Sequence, residues 1–106
     1  MGLSTHVLDT ARGVPATGIP VELRSGAEGA AVAAGVTDAD GRLRLLADGE
    51  LAAAVYELRF DVAAYLGPGP GFLDVVPVRF RVLDPARHHH VPLLLAPWAY
   101  STYRGS

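Results

Sequence analysis

Hydrophobic and polar residues alternate along most of this chain in short runs, the pattern expected of β-strands with one buried face. The predicted strands are residues 3–9, 19–24, 30–37, 43–46, 56–61 and 75–82, with two more on either side of a turn at 97–99. The alanines of 48–54 permit one helical turn, and a short helix that begins at 62 ends at the glycine- and proline-rich loop 67–71. The pattern therefore predicts an all-β fold, an antiparallel β-sandwich of about eight strands with at most one short helix.

The histidine-rich strand near the end of the chain carries apolar residues on both of its faces. Because successive side chains of a strand point to opposite faces, His90, Pro92 and Leu94 share one face, while Leu93 and Leu95 lie on the other. An ordinary surface strand is apolar on one face only. We therefore expect one face to pack on the core and the other to be covered by a second copy of the chain, since soluble monomers rarely expose such a face.

Composition and charge narrow the classes of function. The chain has 106 residues, 50% of them hydrophobic, which suits a single domain spanning 1–106. A formal net charge of -2 argues against a nucleic-acid-binding surface. The absence of cysteine excludes disulfides and thiolate chemistry, and no apolar run approaches the ~18 residues of a membrane span. The N-terminal sequence has no signal-peptide pattern, so we expect a cytoplasmic protein without a membrane or nucleic-acid partner.

Three segments resemble the motifs of the 5-hydroxyisourate hydrolases, the transthyretin-like enzymes of purine breakdown. They are LSTHVLD from residue 3, TDADGRL from residue 37 and HHHVPLLLAPWAYSTYRGS from residue 88, in the order that the family has them. The resemblance implies a transthyretin- or prealbumin-like sandwich that assembles as a homotetramer, with its sites in a channel at the dimer–dimer interface. It also implies hydrolysis of 5-hydroxyisourate to 2-oxo-4-hydroxy-4-carboxy-5-ureidoimidazoline in urate degradation, by attack of water on a ring carbonyl and without cofactor or metal. The family usually has a longer helix where this chain has the loop 67–71.

Histidines are the first candidates for this chemistry. A single histidine in a strand is most often structural, and a histidine-rich run such as 88–90 could also bind a metal. However, neighbouring side chains of that run point to opposite faces, and no cysteine or nearby carboxylate completes a tetrahedral set of metal ligands. The resemblance assigns His6 and His90 as catalytic residues. An imidazole titrates near neutral pH and can take a proton from water, which suits that role.

The segment 38–41, Asp-Ala-Asp-Gly, has the composition of a β-hairpin turn. It is similar to the start of a calcium-binding loop, but the twelfth position of that motif would be Gly49 rather than glutamate. By composition alone, the neighbouring Arg42 would be an exposed strand charge. The resemblance instead places Arg42 in the active site, where a guanidinium can bind a carbonyl-rich ring and the oxyanion formed when water adds to it.

The chain ends in Tyr-Arg-Gly-Ser, and its last serine is not in a nucleophile-elbow motif, so no covalent intermediate is expected. Without the family resemblance, these residues could equally be the polar end of a strand with no role in catalysis. The resemblance implies that Ser106 takes part in catalysis and that Tyr103, Arg104 and Gly105 bind the substrate, which is a small molecule.

Two other functions share the predicted fold. A small-molecule carrier like transthyretin would have a similar channel, but such carriers have lysine and glutamate where this chain has His6 and Arg42. They also lack the terminal Tyr-Arg-Gly-Ser. A structural prealbumin-like β-module, of the kind appended to secreted proteins, would share the turn at 38–41, but the expected absence of a signal peptide argues against it. Hydrolysis of 5-hydroxyisourate is therefore the predicted function.

Overall fold

The computed structural model describes residues 2–26, 28–67 and 71–105. In chain order the strands are β1 (Leu3–Asp9), β2 (Val14–Pro15), β3 (Pro20–Ser25), β4 (Ala31–Val36), β5 (Arg42–Leu46), β6 (Ala54–Asp61), β7 (Val75–Val82), β8 (His89–Ala96) and β9 (Ala99–Thr102), with the helix α1 (Ala63–Leu66) between β6 and β7. The predictions made for Ser106 and for positions 68–70 of the loop lie outside the described residues. The all-β prediction is confirmed, and the bounds of β1 and β7 agree with the predicted segments.

Strand β1 is at the centre of a five-stranded sheet. β8 pairs with one edge of β1 and β9 continues beyond β8, while β2 and β5 share the other edge. The second sheet has the strand order β4-β3-β6-β7. Every pair in the described chain is antiparallel except β1 and β8, which run parallel. The predicted antiparallel sandwich is thus correct apart from this one pair, and the pair is where the histidine motifs meet.

The core lies between the inner faces of the two sheets, where alternate residues of each strand are buried. Its largest fully buried side chains include Phe60, Leu3, Ile19, Leu23, Leu58, Leu93 and Leu95. Thr5 also points inward from β1 and is 1% exposed, but its hydroxyl donates to the carbonyl of Val91 at 2.6 Å. Because that hydrogen bond satisfies the hydroxyl, the polar group can remain in an apolar core.

Strand β8 is buried on its inner face and partly covered on its outer face. Leu93 and Leu95 are fully buried in the core. On the outer face Pro92 is buried, whereas His90 and Leu94 remain partly exposed. The prediction of two buried faces is therefore confirmed for the inner face and only partly met on the outer one within a single chain.

The segment 38–41 forms the predicted turn, but the prediction of a β-hairpin there is wrong. Asp38 Oδ1 accepts the backbone N–H groups of Asp40 and Arg42, each at 2.9 Å. Gly41 has a φ of 75°, and a Cβ there would lie 2.5 Å from the carbonyl oxygen of Val7. The strands on either side belong to different sheets, since β4 pairs with β3 and β5 pairs with β1. Turn residues encode the local bend, whereas core packing decides which sheet the chain joins next.

Residues 48–54 do not form the helical turn that their alanines permit, and among the described residues α1 is the one helix. Leu51 is buried in the core, and the N–H of Ala52 donates to Tyr56 Oη at 3.1 Å. The segment is therefore fixed by one anchoring side chain and by hydrogen bonds outside a helix. No helix of the described chain is both long enough and apolar enough to cross a membrane.

Candidate active site

The strand pairing around β1 brings the two histidine motifs and the arginine motif onto one sheet face. In the register of β1 with its neighbours, His6 lies opposite Arg42 of β5 on one side and Pro92 of β8 on the other. Two residues earlier, Ser4 lies opposite His90 of β8. Because alternate residues share a face, these side chains all project from the outer face of the sheet. The sequence predicted that His90, Pro92 and Leu94 share a face of β8, and the register confirms it.

His6 is held by the turn that precedes β5. Its Nε2 lies 2.8 Å from the carbonyl oxygen of Asp40. A carbonyl only accepts hydrogen bonds, so the Nε2 of His6 carries the proton and donates it. In the neutral ring Nδ1 is then unprotonated and can accept a proton from water. The carboxylate of Asp38 organises this turn, and the backbone N–H of Arg42 is the main cause that holds the pKa of Asp38 below its usual value.

His90 is half-buried and makes a side-chain contact across the parallel strand pair. Its Nδ1 lies 2.9 Å from Ser4 Oγ, and the same oxygen lies 2.9 Å from His88 Nε2. Burial lowers the pKa of His90 below the usual 6.5, and the nearby positive charge of Arg42 lowers it further. The neutral imidazole, which is the form that can act as a base, is therefore favoured at neutral pH.

A groove of about 410 Å³ opens on this face. It is lined by Ser4, Thr5, Asp38, Arg42, Leu43, Arg44, His88 and His90. His6 is not among these lining residues, although its strand partner Arg42 is. A groove of the same volume, about 410 Å³, lies on the other sheet, where Glu22, Arg59 and Asp61 are among its lining residues and none is a histidine. Volume alone does not single out the site, whereas the imidazoles of His88 and His90, which titrate near neutral pH as a residue type, are found only in the first of these two grooves.

The predicted substrate-binding residues of the C-terminal segment divide between two places. Gly105 forms an isolated bridge with His90, whose carbonyl accepts its N–H at 2.8 Å. Tyr103 and Arg104 line a different groove of about 280 Å³, beside β7. The single chain thus brings Gly105 to the histidines but not Tyr103 or Arg104. Their role in substrate binding stays a prediction, and Ser106 lies outside the described residues.

Sequence reasoning missed three residues of this face. Ser4 and His88 each precede a predicted catalytic histidine by two positions, and Arg44 follows Arg42 by two. That spacing places them on the same face of their strands and could have identified them. The hydroxyl of Ser4 contacts His88 and His90, the two histidines of the run 88–90 that face outward. Arg44 adds a second exposed cation to the groove beside Arg42.

A metal ion in a protein is usually held by several donor side chains that lie close together. No cluster of three or more histidine, cysteine, aspartate or glutamate side chains suited to a metal occurs within residues 2–26, 28–67 and 71–105. The arrangement offers instead imidazoles that can exchange protons with water beside guanidinium groups that can stabilise negative charge. This combination suits the hydrolysis of a carbonyl compound.

Known proteins of similar sequence and structure include 5-hydroxyisourate hydrolases and a transthyretin. The sequence profile of the HIUase/Transthyretin family matches residues 3–105. A 5-hydroxyisourate hydrolase of Deinococcus radiodurans is 50% identical over 114 aligned residues, which cover 99% of this chain and 96% of that protein. The solved structure of Klebsiella pneumoniae 5-hydroxyisourate hydrolase is similar with a TM-score of 0.86 and 35% identity, covering 100% of both chains. Sea bream transthyretin in complex with thyroxine is as similar in fold, with a TM-score of 0.87, 31% identity and coverage of 99% and 95%.

Proposed function

The chain belongs to the HIUase/Transthyretin family, and we propose that it hydrolyses 5-hydroxyisourate in the degradation of urate. The observation that carries this proposal is the meeting of His6, Arg42 and His90 on one sheet face around β1. A relative of 50% identity over almost its whole length is a 5-hydroxyisourate hydrolase, which supports the same reaction. The fold by itself does not favour hydrolysis over ligand transport, because a hydrolase and a transthyretin in complex with thyroxine match it equally well.

In the proposed reaction the imidazoles activate water. His6 and His90 take and return protons, and the lowered pKa of His90 keeps this ring neutral at physiological pH. Water loses a proton to an imidazole and attacks a ring carbonyl of the substrate. The resulting oxyanion is stabilised by the guanidinium of Arg42, which remains charged throughout. When the intermediate collapses, the ring C–N bond breaks and the leaving nitrogen takes the proton back from an imidazole.

Residues of the C-terminal segment complete the proposal. Tyr103 and Ser106 would orient the substrate ring, with Arg104 and Gly105 as further contacts. Support comes from Gly105, which forms a bridge with His90, a residue that lines the groove. Tyr103 and Arg104 would reach the substrate only if the assembled protein brings their groove and the histidine groove together.

We also propose a homotetramer with its sites at the dimer–dimer interface. Two strands at sheet edges, β7 and β9, each have one side without a partner strand among the described residues. All four residues of β9 are exposed, and an exposed edge is a ready template for pairing with another copy. The half-covered outer face with His90 and Leu94 offers a second surface that an identical copy could bury.

The decisive experiment is an ultraviolet assay of the purified protein with freshly generated 5-hydroxyisourate. Accelerated decay of the substrate beyond its spontaneous rate is expected, and its loss in the His6→Ala variant would tie the activity to this face. A protein that leaves the spontaneous rate unchanged but binds a hydrophobic ligand would be a carrier. The cytoplasmic location expected from the sequence stays a prediction that cell fractionation would test.

A further inference from the structure

The hydroxyl of Ser4 joins two imidazoles that the proposed mechanism does not connect. Ser4 Oγ lies 2.9 Å from His90 Nδ1 and 2.9 Å from His88 Nε2. The two rings are nearly parallel, with centroids 6.5 Å apart and an interplanar angle of 18°. Ser4 reaches them across the parallel pairing of β1 with β8, where it lies opposite His90. Neither Ser4 nor His88 was assigned a role by the sequence motifs.

A serine hydroxyl has one proton, so the two hydrogen bonds are not independent. It can donate to one ring and must accept from the other. If His90 Nδ1–H donates to Ser4, the hydroxyl donates to His88 Nε2, and the neutral His90 keeps an unprotonated Nε2. The reverse direction leaves His90 with a protonated Nε2, which cannot act as a base. The direction of this chain of hydrogen bonds therefore sets whether His90 accepts or donates a proton.

The surroundings favour moving a proton away from His90 once it has accepted one. His90 is half-buried, and most of the titratable or charged groups that face it are basic. These groups are His6 from β1, Arg42 and Arg44 from β5, and His88 beside β8, with Asp38 of the turn as the acidic exception. A positive charge on His90 is therefore disfavoured by burial and by its neighbours.

We propose that Ser4 and His88 are positioning residues that hold His90 with Nε2 open to water and that carry the accepted proton on to His88. As water loses a proton to His90 Nε2, the Nδ1 proton passes to Ser4 Oγ and the Ser4 proton passes to His88 Nε2. The net result of these three steps is the transfer of one proton from water to His88. His90 and Ser4 are again neutral, and His88 holds the positive charge that balances the oxyanion. When the ring C–N bond breaks, the transfers run in reverse and His90 Nε2 protonates the leaving nitrogen. The inference rests on the proposed hydrolysis.

Variants at the two positions separate orientation from proton transfer. Ser4→Ala removes both hydrogen bonds, and kcat should fall at least about 10-fold while KM changes little, since the reacting step is affected rather than binding. Ser4→Thr keeps a hydroxyl and should restore most of the rate. His88→Gln can still hydrogen-bond Ser4 but cannot store a proton, so kcat should again fall about 10-fold or more. Ser25→Ala removes an exposed hydroxyl from the other sheet and serves as the matched control.

Nuclear magnetic resonance gives a readout that needs no activity. Nitrogen-15 spectra of the imidazoles should show His90 protonated at Nδ1 in the unmodified protein and in His88→Gln, and a mixture of tautomers in Ser4→Ala. A wild-type spectrum with His90 protonated at Nε2, or full kcat in both Ser4→Ala and His88→Gln, would overturn the relay. A wild-type protein without hydrolase activity would instead refute the proposed function, so the two failures are distinguishable.

Discussion

The backbone of Gly105 lies directly against the imidazole of His90. A Cβ on Gly105 would lie 2.7 Å from His90 Cδ2, closer than carbon atoms pack, and a tight 3.2 Å from its Cβ and Cγ. Gly105 also donates its N–H to the His90 carbonyl at 2.8 Å, which fixes the segment at this distance. Glycine is therefore required here because a side chain would clash with His90, and not because of its backbone conformation. The imidazole occupies the space that a side chain at position 105 would need.

Substitution of Gly105 by alanine should therefore displace the His90 ring. We expect the hydrolysis rate of Gly105→Ala to fall at least about 10-fold, because misplacement of a general base by about 1 Å is costly. Steady-state kinetics on 5-hydroxyisourate provide the measurement. Gly71→Ala is a suitable control, since the one contact that a Cβ there would make with the described residues is an ordinary 3.8 Å to Leu66. Equal rates for the two variants would show that the contact has no catalytic consequence.

The pH dependence of hydrolysis should reflect the lowered pKa of His90. Burial, and then Arg42, lower that pKa below 6.5, so the neutral base should persist at pH values where a solvent-exposed histidine is already protonated. The part of the rate that depends on neutral His90 should be lost as pH drops through the lowered value. The unfolded chain takes up this proton first, near 6.5, so the contribution of His90 to stability also decreases as pH falls below 6.5. A magnetic resonance titration that gave His90 a pKa at or above 6.5 would contradict this.

Removal of either predicted catalytic imidazole should disable the enzyme. His6→Ala and His90→Ala should each lose about 100-fold or more in turnover, the usual scale for loss of a general base. Their melting temperatures should change little in comparison, since neither ring belongs to the buried core. Kinetics and thermal melting of both variants test this. A variant with nearly the full rate would remove its histidine from the mechanism.

The end of the chain should matter for activity more than for stability. A protein ending at Tyr103 lacks the exposed Arg104 and the bridge between Gly105 and His90, but it loses little buried apolar area. We expect a nearly unchanged melting temperature and hydrolysis slowed at least about 10-fold, because substrate contacts and the support of His90 are lost. Unchanged kinetics of the shortened protein beside the full chain would limit the site to His6, Arg42 and His90.

Assembly can be tested without substrate. The three consecutive leucines of β8 divide between two faces, with Leu93 and Leu95 buried in the core and Leu94 partly exposed on the opposite face. Since an identical copy could cover that outer face, we expect a tetramer at micromolar concentration. Light scattering measures the mass directly. A monomeric mass would contradict both the tetramer and the proposed location of the sites.

Much of this protein is determined by local sequence pattern. Alternation of apolar and polar residues predicted the strands, because each strand must bury one face whatever its partners are. It identified β1 and β7 with the bounds that the structure has, and it predicted that His90 and Leu94 share a face. Motif resemblance supplied the candidate residues His6 and Arg42, since the type of residue needed for the chemistry is recorded in the sequence itself.

Tertiary structure alone decided which strands are neighbours. The turn at 38–41 was predicted as a hairpin but carries the chain to the other sheet, and the parallel pairing of β1 with β8 was not predicted. That pairing joins segments more than 80 residues apart and creates the contacts of Ser4 with His88 and His90, at sequence separations of 84 and 86. Local patterns fix the face of each side chain, but the choice of partner strand depends on how all the apolar faces pack together at once.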